Sequence, residues 1–315
     1  MKQKTTPGVE APDALETNTL TEVIKKRKST RTYKPERLTP EHRKALEEFI
    51  CQNNKGIGGE EINIIILEKA ESEKQMKLAY GAIKGNHTYL LGVVKHNPET
   101  RLNYGYIMEK IVLKATELGV ASCWIGYFDH DYFNDLNLEK GFVIPGLVII
   151  GYAAQRSSRA EKLMRFAVSA SQRLPWDKLF FDYQTKSPLL TETSSILINE
   201  PATSVEPQLI NDYAESLEML RLAPSSSNSQ PWRIYFDKDA NEFHFFKKPK
   251  SQIYERFGMH ELDLGIAMAH FELTSQKNGL KGNWVRKQEG IAAPEEGLQY
   301  MISWKPGPFS PGEIC

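Results

Sequence analysis

Two apolar helical runs, 160 residues apart, each stop at a glycine that is followed five residues later by a tryptophan. In the first, Tyr104, Ile107, Met108, Ile111, Ala115 and Leu118 recur at helical spacing before Gly119 and Trp124. The second lies near 260–278 and ends at Gly279, with Trp284 beyond it. Superposing the two pairs Gly105 with Gly265, Met108 with Met268, Leu113 with Leu273, Gly119 with Gly279 and Trp124 with Trp284. A glycine past the last turn supplies the left-handed residue that ends a helix. The same helix, stop and aromatic in both places predict one supersecondary unit used twice. The chain is expected to fold as two similar halves, and 315 residues suffice for two modest lobes.

The other elements fit that division. Residues 1–18 are polar and aperiodic and read as a flexible leader. At Thr19, "TLTE" has capping-box spacing to Glu22, which predicts a helix running into Lys25, Lys26, Arg27 and Lys28. Thr39-Pro40 opens a second helix, 62–67 and 88–94 read as strands, and "FVIPGLVIIGYA" (142–153) reads as one buried strand. Between Arg173 and Gln208 periodicity is lost and Pro, Ser and Thr accumulate. The expected lobes are therefore 19–182 and 210–315, joined by a linker at 183–209. In the second lobe a helix is expected at 211–222, with strands near 232–237, 242–246 and 297–304. The fold class is α+β.

Forty basic residues balance 40 acidic ones, so no global field draws the chain to nucleic acid or to a membrane surface. No apolar run approaches the ~20 residues of a membrane span, and the N-terminus has no secretory signal core. Three cysteines, Cys51, Cys123 and Cys315, are too scattered for a disulfide framework or a zinc site, and a reducing cytoplasm is the expected setting. His260, Asp263, His270 and Glu272 match no metal-ligand spacing and read as core or surface residues rather than a hydrolase centre.

Three segments carry more chemistry than their local structure needs. "KKRKSTR", Lys25 to Arg31, sets five cations and two hydroxyls at a helix end. Alone it would read as a solvated terminus, but guanidinium forks and a serine hydroxyl also match the oxygens of a phosphate. "ASCWIG", Ala121 to Gly126, follows the first long helix, and Gly126 permits close approach of a ligand to bare backbone. "LAPSSSNSQPWRIYF", Leu222 to Phe236, places Ser225, Ser226 and Asn228 between two apolar runs, with Pro224 and Trp232 as apolar flanks. Short polar groups of this kind suit the edges of a flat heterocycle.

Together these segments resemble the nitroreductase family of FMN-dependent NAD(P)H oxidoreductases. "RKSTR" is similar to the family's N-terminal Arg-x-Ser-x-Arg/Lys motif, "APSSSNSQPW" to its Pro-Ser-Ser-x-Asn-x-Gln-Pro-Trp motif, and "MEKIVLKATELGVASCWIGYF" to its helix, Gly and Trp-x-Gly segment. The resemblance covers about residues 19–165 and 210–285. It implies a nitroreductase-like fold whose two halves form a pseudo-dimer. It further implies that Arg27, Lys28, Ser29 and Arg31 hold the FMN phosphate and ribityl chain, with help from Arg156 or Arg159. Pro224, Ser225, Ser226 and Asn228 would line the ring from the other half, Trp124, Ile125 and Gly126 its far side, and Lys84 would approach its N1 and O2 edge.

One departure is informative. Family members carry the basic and the Pro-Ser-Ser motifs about 30 residues apart, and each homodimer site takes one motif from each subunit. Here they are nearly 200 residues apart. Where the serine turn should follow "KSTR" the chain reads "CQNNKGIGG", and no Arg-x-Ser-x-Arg precedes "APSSSNSQPW". The resemblance thus implies one FMN per chain, a possible monomer, and ping-pong transfer from NADH or NADPH to a small electron-poor acceptor such as a nitroaromatic or quinone. No side chain need act as acid or base. The competing reading is a flavin-binding protein without reductase activity, a sensor or a store.

Overall fold

The computed structural model describes residues 19–69, 83–85, 88–155, 172–189 and 208–307. Helix α1 (Leu20–Lys26) opens as expected, with the Glu22 carboxylate accepting the Thr19 N–H at 2.7 Å. Helix α2 (Pro40–Gln52) follows, capped by Thr39 through the His42 N–H. Strands β1 (Ile64–Glu68), β2 (Thr88–Gly92) and β3 (Val94–Lys95) then lead into the long helix α3 (Pro98–Glu117). That helix begins before its apolar periodicity does, because the Asn97 side chain caps the Thr100 N–H and Pro98 is preset for the first turn. Strand β4 (Ala121–Ile125) leaves it past Gly119, whose φ of +74° is the expected left-handed stop.

The run expected as one strand over 142–153 is two: β5 (Phe142–Val143), paired with β3, and β6 (Leu147–Gly151). Pro145 lies between them and cannot donate to a ladder, so it divides the run.

Strand β7 (Phe180–Asp182) pairs in parallel with β8 (Trp232–Asp237), so a boundary after Asp182 falls inside the second lobe's sheet. The helix expected at 211–222 is interrupted at Tyr213, giving α4 (Gln208–Asp212) and α5 (Ala214–Arg221). Strand β9 (Glu242–Lys247), helix α6 (Gln252–Arg256), the long helix α7 (Met259–Lys277), and strands β10 (Gly282–Val285) and β11 (Gln299–Pro306) complete the lobe.

The two sheets have the same plan. The first runs β1-β2-β6-β4 and the second β8-β9-β11-β10, with β7 added beside β8. In each, the long helix leads into an edge strand, β4 in the first and β10 in the second. Helices α3 and α7 are buried nearly all round because they pack on each other between the sheets. Their crossing is reciprocal: a Cβ at Gly105 would collide with the Leu262 carbonyl, and one at Gly265 with the Leu102 carbonyl. Gly105 and Gly265, and Leu102 and Leu262, are all 160 residues apart, so the contact is that of an internal two-fold.

Candidate functional site

The basic segment after α1 is fixed by backbone bonds across the first lobe. Thr30 N–H donates to the Ser122 carbonyl of β4, Lys84 N–H to the Arg31 carbonyl and Tyr33 N–H to the Lys84 carbonyl, each at 2.9 Å. Ser29 and Thr30 therefore lie beside β4, Tyr33 lies beside Ala153 just past β6, and exposed Lys84 is pinned to the segment between them. Arg27 and Arg31 point inward from this segment, whereas Lys28 is exposed. Arg31 Nη1 is buried with no hydrogen-bond partner among the described residues. Arg156 and Arg159 lie outside the described residues.

Arg27 Nε is 4.0 Å from Glu109, a fully buried carboxylate in the middle of α3. The same carboxylate accepts from Trp124 Nε1 at 2.7 Å and lies 2.9 Å from His270 Nε2 on α7. One acidic group thus ties the cationic segment, the Trp-x-Gly segment and the other lobe's long helix together. An acid in the centre of an apolar helix was the available sequence signal for it.

From the second lobe, the serine turn reaches the same place. A Cβ on Gly126 would lie 2.7 Å from Met259 Sδ and 3.8 Å from Ser226 Oγ, so this glycine is what lets the two lobes meet. On the opposite side, Arg173 Nη1 donates to Asn228 Oδ1 at 3.0 Å. Arg173 is pushed down to about 10, chiefly by burial and in lesser part by repulsion from Arg27 and Arg221. Arg173 lies in an aperiodic stretch and carries no motif, which is why sequence reasoning missed it. Contacts thus join Arg27, Glu109 and Trp124 on one side, and Asn228 and Arg173 on the other, with Gly126 facing Ser226 between them.

Within the turn most polar side chains already have partners. Ser225 Oγ accepts the Gln230 N–H at 2.9 Å, and Ser226 donates both N–H and O–H to Asp263 Oδ1 at 2.8 and 3.1 Å. Ser227 meets the Tyr254 hydroxyl at 2.6 Å, and Asn228 Nδ2 donates to the Gln172 carbonyl. Three non-glycine residues, Ser227, Asn228 and Gln230, hold positive φ of 47°, 56° and 47°. Such conformations each cost on the order of 1 kcal/mol, which the bonds to the side chains offset. The turn therefore offers a ligand the edge of a stiff loop: Pro224, Ser225 and Ser226 are half-buried there, while Trp232, expected as a flank, is fully buried at the start of β8. His260 and His270 are likewise engaged elsewhere, with Glu255 and Glu109, and Glu272 accepts from Tyr106 and Trp284.

The internal two-fold carries this site onto a second location, and the residues there differ. Met259 and Gly126 are replaced, at the same spacing of 160, by Glu99 and Arg286, whose side chains pair at 3.3 Å. Asp263 is matched by Asn103, which accepts the Ile57 N–H at 3.2 Å and donates to Glu60, holding the turn of the first lobe. The place occupied in one site by a bare glycine is filled in the other by an arginine ion pair.

A family model described as "Putative TM nitroreductase" matches residues 19–275. Among solved structures, a "putative nitroreductase" of Thermotoga maritima is 18% identical with a TM-score of 0.56, covering 95% of this chain and 98% of its own. A nitroreductase with bound FMN from Bacteroides fragilis is 19% identical with a TM-score of 0.37, covering 45% of this chain and 92% of its own. A nitroreductase family protein from Clostridium difficile is 19% identical with a TM-score of 0.36, covering 47% and 92%. No curated protein matches the chain. Among the described residues no helix is long and apolar enough to cross a membrane.

Proposed function

Because this chain belongs to the nitroreductase family described by that model, we propose that it is an FMN-dependent oxidoreductase passing electrons from NADH or NADPH to a small electron-poor acceptor such as a nitroaromatic or a quinone. The observation that carries this reading is the convergence of Arg27, Arg31 and Arg173 with Gly126 and the serine turn of the opposite lobe. The residues fit the cofactor. A buried guanidinium nitrogen on Arg31 without a partner among the described residues, beside cations that repel one another, suits a phosphate. A backbone left bare at Gly126 suits a flat ring.

When bound, FMN supplies the two-electron chemistry, and the protein supplies orientation and electrostatics. Arg27, Ser29 and Arg31 hold the phosphate and the adjoining chain, with Arg173 adding charge from the side of Asn228. Glu109 keeps Arg27 and Trp124 in register. Pro224, Ser225, Ser226 and Asn228 bound the ring from the second lobe, Trp124, Ile125 and Gly126 from the first, and Lys84 stands by the basic segment to favour negative charge at the ring's edge. Both lobes contribute to one site, so the chain works as an internal pseudo-dimer and needs no second copy to complete it. The Glu99–Arg286 pair at the symmetric location supports a single flavin per chain.

Flavin absorbance of the purified protein, followed by oxidation of NADH and NADPH with a quinone and with a nitroaromatic, tests the reading. A protein that takes up no flavin from excess FMN rejects it. A yellow protein that oxidises neither nucleotide is a flavin carrier and not a reductase.

A further inference from the structure

Asp263 is a buried carboxylate that the chemistry above does not use. It is 1% exposed on the first turns of α7, and no basic group lies within ion-pair distance of it among the described residues. Its partners are the Ser226 N–H and hydroxyl on Oδ1, and the Ser229 hydroxyl at 3.5 Å from Oδ2. Shape alone does not require an acid here. At the equivalent position of the other lobe, Asn103 holds the backbone of its turn with an amide of the same outline. A buried, uncompensated charge is costly, yet it stands only in the lobe whose turn faces Gly126.

The charged groups around it are arranged outside its reach. On its own helix Glu261 repels it and is held by Lys247 of β9, which also bonds Glu255 of α6. Glu255 in turn bonds His260. On α3, Arg101 interacts with Glu261, and Tyr254 of α6 bonds the turn at Ser227. None of these neutralises Asp263 directly. Burial, opposed by the bonds from Ser226 and Ser229 and aided by Glu261, pushes the carboxyl up to about 7.

We propose that Asp263 is a proton-linked positioning residue: its negative charge, and not its shape, sets how firmly the serine turn is held, so that the site's grip on flavin changes as this carboxyl gains or loses its proton. The proposal rests on the flavin reading of this site. Charged acceptors make hydrogen bonds roughly twice as strong as neutral ones. The bonds from Ser226 favour the ionised form of a carboxyl that stays buried when the turn loosens, so the ionised carboxylate clamps Ser226 and with it the three left-handed residues that follow, and the protonated acid lets them relax.

The test compares the wild type with Asp263→Asn, which keeps an acceptor for Ser226 and removes the titration. FMN dissociation constants are measured by fluorescence quenching from pH 5.5 to 8.5; titration of the FMN phosphate is common to both chains and cancels in the ratio. The ratio of variant to wild type is expected to rise from near one at the acid end to about tenfold at the alkaline end. A ratio constant across this range overturns the proposal, whatever its value. In parallel, amide exchange at Ser226 is measured without flavin. Its protection relative to the intrinsic rate should climb between pH 6 and 8 in the wild type and stay flat in the variant. That second measurement decides the matter even if neither chain binds FMN, an outcome that would sink the flavin reading alone. It also does so, on the wild type by itself, if the variant does not fold.

Discussion

Arg27 and Arg31 both turn inward from one short segment, Arg27 toward the Glu109 carboxylate. Arg31 Nη1 has no partner among the described residues, and Arg173 is depressed in part by Arg27. Each charge would gain from a phosphate placed among them, since a hydrogen bond between charged groups contributes about 1.5–3 kcal/mol. Replacing Arg27 and Arg31 together by alanine is therefore expected to weaken FMN binding by about 3 kcal/mol, roughly a hundredfold. Fluorescence titration checks this, and undiminished affinity would move the phosphate elsewhere. A second residue-scale expectation concerns Gly265. Its missing Cβ is what lets α7 lie against the Leu102 carbonyl and the Tyr106 N–H. Gly265→Ala must push the helices apart, and a loss of about 3 kcal/mol in denaturant unfolding is expected. An unchanged midpoint would mean the crossing is looser than its geometry implies.

At the scale of elements, local signals were legible and distant pairings were not. The Thr19 capping box, the Gly119 stop and the Thr39-Pro40 helix start depend on residues within one turn of each other, and all three occur as expected. The start of α3 was missed because Asn97-Pro98 signals it before any apolar period begins. The separate partners of β5 and β6 and the parallel pairing of β7 depend on residues far along the chain. In the site, the serine turn was readable as a motif, but not that Asp263, 37 residues on, holds it. The same pair gives α7 a pH signature of its own. The carboxyl of Asp263 is raised from the usual 3.8 to about 7 in the folded chain, so the folded state binds more protons than the unfolded one between those values. Stability from the neutral acid is complete below about pH 4 and is lost as pH rises through about 7. Asp263→Asn should accordingly outlast the wild type in denaturant at pH 8, by on the order of 3 kcal/mol, and match it near pH 4. The variant would be the more stable protein and the poorer flavin binder, the usual exchange at a functional site. Parallel stability curves from pH 4 to 8 would contradict this.

The whole molecule is a two-fold object with unequal ends. Its sheets share one strand order and its long helices cross through paired glycines, so the scaffold alone would make the two contacts between the lobes equivalent. Where the lobes meet, the asymmetry lies in the side chains. One contact is made between Gly126 and Met259, and its twin between Arg286 and Glu99. One turn is held by Asp263 and the other by Asn103. A duplicated fold needs both halves for packing but not for binding, so substitutions that spoil one site leave the helix crossing untouched and cost little stability. Saturating the protein with FMN and removing the excess is therefore expected to leave one flavin per chain, measured from the visible absorbance against protein concentration. A value near two would show that the arginine pair does not close the second site, and would return the molecule to the symmetry of its scaffold.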